Sequence, residues 1–359
     1  MTSHVKNYTK DFLNFFAKSI AEEIQRADHL AKSKWKQVNC KADSEGRLRA
    51  FTQLLVNIHD RREWWTTAIE TETKHLETYL AAEKFPLVTV SLERLARDGL
   101  LLDVNLAASS NEFERLADTF SRITSYQYAA ARLSTLDPGF TYTSDVGQEC
   151  SVNHHAHCVL TARGSWDQAR WLGRYLMNFH RNGETCFTDE FFNPEIRLML
   201  RTLAHITEQD AWPSLAELPT DMGRYRTLFE TVENPEAFSS ALMHVLDFRM
   251  ARYNGFQDIG VGTRKMHWGG VLGAEDWAVF PVELFAFQAL AERYLGIKPA
   301  LDIDHPWINN PLTAQLHAID PAWEDDTLRK VVELADQHFG QVWRSGDALP
   351  AAGGGASTS

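Results

Sequence analysis

The stretch Ser165–Gly183, SWDQARWLGRYLMNFHRNG, carries a helix together with its own start and stop. Trp166, Ala169, Leu172, Leu176 and Phe179 recur at steps of three and four, which gathers them on one face of a helix and excludes the period-two alternation of a half-buried strand. Ser165 supplies a side-chain oxygen where the first helical N–H groups lack partners. Asn182-Gly183 follows where a chain leaving a helix needs a residue tolerant of left-handed backbone.

The same period extends in both directions. Upstream, Leu13, Phe16, Ile20, Ile24 and Ala27 form one apolar stripe, with Glu22, Glu23, Gln25 and Arg26 opposite. Leu48, Phe51, Leu55, Ile58, Trp65 and Ile69 form a second, longer one, with Arg61, Arg62 and Glu63 on its wet side, and these two helices are expected to pack together. Helices are predicted near 87–106 and 111–133, the latter with Phe113, Leu116, Phe120 and Ile123 in register, until Asp137-Pro138-Gly139 breaks the pattern.

Downstream, Pro194, Pro213, Pro219 and Pro235 cut residues 183–235 into what reads as short helices and loops. A long helix is expected from 236 to Tyr253, followed by an irregular segment near 254–273 rich in Gly255, Gly260, Gly262, Gly269, Gly270 and Gly273. Pro281 suits a first helical turn, Phe285, Ala286, Ala289 and Leu290 the apolar stripe, and Gly296 the position past the end. A last helix starts around Trp323-Glu324-Asp325-Asp326, whose acids complement a helix N-terminus, and carries Leu328, Val331, Val332, Ala335 and Phe339.

The expected architecture is therefore all-α, a multi-helix bundle-like protein. Its 359 residues admit an N-terminal helical region over 1–135 and a C-terminal one over 165–345, or a single continuous domain, with the seam best placed at 135–165 and 346–359 a flexible tail. No repeat of solenoid period stands out.

Charge narrows the partners. The 48 acidic residues exceed the 36 basic ones, a formal −12 that repels phosphate backbones, argues against nucleic acid and favours either plain solubility or a basic protein partner. Cys40, Cys150, Cys158 and Cys186 are too sparse for a secreted disulfide framework and are expected reduced. Lys and Asp interrupt the apolar residues of the N-terminus, and no window is long and apolar enough for a membrane span, so the expectation is a cytoplasmic protein.

The densest constellation is Cys150, His154, His155, His157 and Cys158, since thiolate and imidazole are the usual zinc ligands. One straight helix aims about two of them at a common point; His180, Cys186 and His205 would have to supply the rest, and no HExxH or paired CxxC is present. His154, His157 and Cys158 are thus candidates for a metal site, set against the plainer reading of structural side chains. Asp302, Asp304 and His305 could do acid–base work or form a turn anchored by Trp307 and Ile308. Gly260, Gly262, Thr263, Arg264 and Lys265 lack P-loop spacing. Ser165 lacks the elbow of a nucleophile. Trp64-Trp65 and Phe191-Phe192 read as core. No catalytic set and no cofactor site assembles from these.

LDFRMARYNGFQD at 246–258, the Gly-rich segment and VFPVELFAFQALAERYLGIKPALDIDHPWINNP at 279–311 are more distinctive in combination. Asp247, Arg249 and Tyr253, then Phe280, Pro281, Glu283, Ala286 and Gly296, then His305, Pro306 and Pro311 give the region a pattern that resembles the all-α immunity proteins of bacterial polymorphic toxin systems. The likeness spans about 65 residues in the C-terminal third. It implies a cytoplasmic antidote that binds a cognate toxin and blocks it sterically without catalytic residues. The acidic charge would suit a basic toxin. Asp258, Glu275 and Asp276, acids on or beside an irregular segment, are the candidate contacts, against the alternative that they only cap and solvate their neighbours. A helical scaffold or regulatory adaptor, and a metal-dependent hydrolase built on His154, His157 and Cys158, are the competing readings.

Overall fold

The computed structural model describes residues 62–110, 113–136, 146–181, 194–258, 280–320 and 323–340. In chain order the helices are α1 Arg62–Ala81, α2 Phe85–Ser110, α3 Arg115–Leu136, α4 Val146–Ala162, α5 Trp166–Arg181, α6 Pro194–Gln209, α7 Arg226–Thr231, α8 Pro235–Asp258, α9 Val282–Leu295, α10 Pro311–Ala314 and α11 Asp326–Phe339. Two 3-10 turns, Thr220–Tyr225 and Gln315–Ala318, precede α7 and follow α10. No strand occurs among the described residues, and the protein is an all-α, multi-helix globular fold.

Local chemistry sets several of the helix ends. The Ser165 carbonyl accepts the Ala169 N–H at 2.9 Å, and α5 begins at the next residue, where the sequence places its start. Asp325 Oδ1 accepts the Leu328 N–H at 2.7 Å, an N-cap that starts α11 among the acids expected there. Gly296 adopts φ +69° at the end of α9, and its N–H reaches the Glu292 carbonyl, the bond of a left-handed glycine stop. Pro281 sits one residue ahead of its expected place, flanking Val282.

Two stretches differ from their sequence reading. Residues 183–235 contain the 16-residue α6, because Pro194 and Pro235 stand at the first positions of α6 and α8, where a missing N–H costs nothing. Arg226 holds the loop between them, donating from its guanidinium to the Leu215 and Leu218 carbonyls and to Glu230. The long α8 passes Tyr253 and runs to Asp258, since Gly255 costs a helix about 1 kcal/mol without forbidding it. The irregular segment beyond 258, Phe191-Phe192, the stripe from Leu13 to Ala27 and the positions before Arg62 lie outside the described residues.

One hydrophobic core joins the helices on either side of the 135–165 region. It runs from Trp65 on α1 through Leu100, Phe120, Cys158, Val159, Leu203 and Phe287 to Val331 on α11. A smaller cluster of Ala131, Ala156, Leu160, Leu172 and Leu176 ties α3, α4 and α5 together. Trp65 is buried while its neighbour Trp64 is 59% exposed, so only one of the pair is core. No described helix is long and apolar enough to cross a membrane.

The architecture around α4 positions everything that follows. Its neighbours are α2, α3, α5, α6 and α9, and the nine consecutive residues Asn153–Thr161 are all buried. A helix covered on all sides shows no amphipathic stripe, because every face must be accommodated by a neighbour.

Candidate functional site

Polar side chains from α8, α9 and the first 3-10 turn converge in the interior. Arg249 of α8 donates from Nη1 to Glu283 Oε1 of α9 at 2.7 Å and from Nη2 to the Phe280 carbonyl at 3.2 Å. Tyr225 Oη donates to the same Glu283 oxygen at 3.0 Å. All three side chains are 0% exposed. Burial pushes the Glu283 carboxyl up, with Arg249 offsetting part of that, and pushes the Tyr225 phenol well up, reinforced by the Glu283 charge.

A second polar contact holds the loop after α9. His305 Nδ1 accepts the Trp307 N–H at 3.2 Å, so the ring proton sits on Nε2, which lies 3.5 Å from Asp247 Oδ1. That spacing is long for a good hydrogen bond and acts as an electrostatic contact. Asp302 and Asp304 are exposed while His305 and Trp307 are wholly buried. The segment is therefore an anchored turn, and its two aspartates do not join the imidazole in an acid–base set.

On α4, His155 and Cys158 lie within reach of the Arg249 and Glu283 charges, while His157 is turned to α6. His154, His155, His157 and Cys158 are all buried. Burial, followed by the Arg249 charge, pulls His155 down to about 3, and burial alone does the same to His157. Cys158 is pushed well above the usual thiol range by burial and by Glu283, so it stays a protonated, unreactive thiol. Thr207 Oγ1 gives its hydrogen to the Leu203 carbonyl at 2.8 Å, which makes it the acceptor for His157 Nε2 at 3.1 Å. Gly173 makes that contact possible: a Cβ there would lie 3.0 Å from the Ala204 carbonyl and 3.3 Å from His157 Nε2.

Among the described residues, no three His, Cys, Asp or Glu side chains come together in a set able to hold a metal ion. His154, His157 and Cys158 are each buried on α4 without converging on one point, and His205 is exposed beside Glu208. The side chains of Cys150 and His180, and Cys186 altogether, lie outside the described residues, as do Gly260–Lys265. Of the proposed partner contacts, Asp258 is the last residue of α8 with its side chain not described, and Glu275 and Asp276 fall in the undescribed stretch after it.

The structure thus brings together residues that the sequence reading had noticed only as a pattern. Asp247, Arg249, Phe280, Glu283 and His305 meet across α8, α9 and the following loop. Tyr225 was not singled out, and nothing in RYRTLFE marks its phenol as a partner of a glutamate 58 residues away. Set against known protein families, curated proteins and solved structures, the chain matches none.

Proposed function

We propose that this is a cytoplasmic immunity protein that binds a cognate bacterial toxin and blocks it sterically. The observation that carries the reading is the placement of the residues behind the resemblance: Asp247, Arg249, Phe280, Glu283, Ala286 and His305 are all buried, and their polar groups are used to hold α8, α9 and the next loop together. A pattern of that kind serves a scaffold. An inhibitor that works by covering its target needs a rigid scaffold and an exposed face with apolar anchors, and no reacting groups. The formal charge of −12 adds steering toward a basic target, which acts on encounter rate and specificity more than on affinity.

The test is to purify the tagged chain from its native cell, identify the bound protein by mass spectrometry, and express that protein with and without the chain. A single equimolar partner that stops growth alone, and not with the chain, is the expected result. Several substoichiometric, harmless partners would overturn the proposal in favour of an adaptor. Stoichiometric zinc that disappears on substitution of His154, His157 and Cys158 would overturn it in favour of a hydrolase.

A further inference from the structure

We draw no further inference here: the strongest candidate, the surface cluster of Arg170 on α5 and Arg293 and Tyr294 on α9 around the Asp210 carboxylate just past α6, has its charges spent on one another, and nothing in the structure shows what partner would cover it.

Discussion

Arg249 and Glu283 form an ion pair at 2.7 Å with neither side chain exposed to solvent. Two charges so placed have lost their water, and their attraction repays that loss only while both are present. The consequence is asymmetric. Glu283→Ala or Arg249→Ala strands a buried charge and is expected to lower unfolding free energy by about 3–5 kcal/mol. Replacing both, as Arg249→Met with Glu283→Leu, is expected to cost less than either single change. Urea denaturation of the four proteins measures this. Additive losses would mean that the pair does not act as a unit.

Acid sensitivity follows from the α4 histidines. His155 and His157 are held near 3 in the folded protein against about 6.5 in an unfolded chain. Between those values the unfolded state binds more protons than the folded one, so stability falls as pH falls. It is fully present above about 6.5 and is lost progressively down to about 3, with a slope approaching 1.4 kcal/mol per pH unit for each histidine. His157→Gln is expected to flatten the profile. Equal denaturation midpoints at neutral pH and two units below it would contradict the assignment.

Phe287 stacks on Phe238 and meets Phe229 and Trp212 edge-on. Removing its ring leaves a cavity that three helices and the loop carrying Trp212 cannot close. Phe287→Ala is expected to cost about 3–5 kcal/mol. Leu215, 49% exposed on its loop, should change stability by no more than about 0.5 kcal/mol when truncated to Ala. Comparable losses at both sites would show that the core boundary is misplaced.

Asp325 does two jobs with one carboxylate, capping α11 through Oδ1 and accepting from Tyr126 through Oδ2. Asp325→Asn keeps an acceptor for the cap and weakens the charged contact, so a loss near 1 kcal/mol is expected, and Asp325→Ala should lose about twice that. Tyr126→Phe removes only the phenolic bond. Combined with Asp325→Ala it should add little, and thermal melts of the set would expose any independence of the two residues.

The ends of α5, α9 and α11 were readable because they are decided within one or two turns. Asp325 and Gly296 act on backbone groups three and four residues away, and the apolar period of α5 or α11 shows because one side of each meets water. Central α4 gave no such sign. Its histidines looked like scattered metal ligands because a helix segment buried on every side mixes polar and apolar residues without a period, and only its neighbours say that His157 meets Thr207.

Sequence by itself determined the helical class, the stop of α9, the start of α11 and the acidic charge, all of which depend on local periodicity, capping chemistry and composition. Only the tertiary structure decided that Arg249 meets a glutamate 34 residues on and a tyrosine 24 residues back, that His305 turns to Asp247, and that α1 and α11 leave a groove between them. Those relationships belong to side chains brought together by packing of the whole core, and burial is what turns an ordinary arginine and glutamate into a pair that the fold depends on.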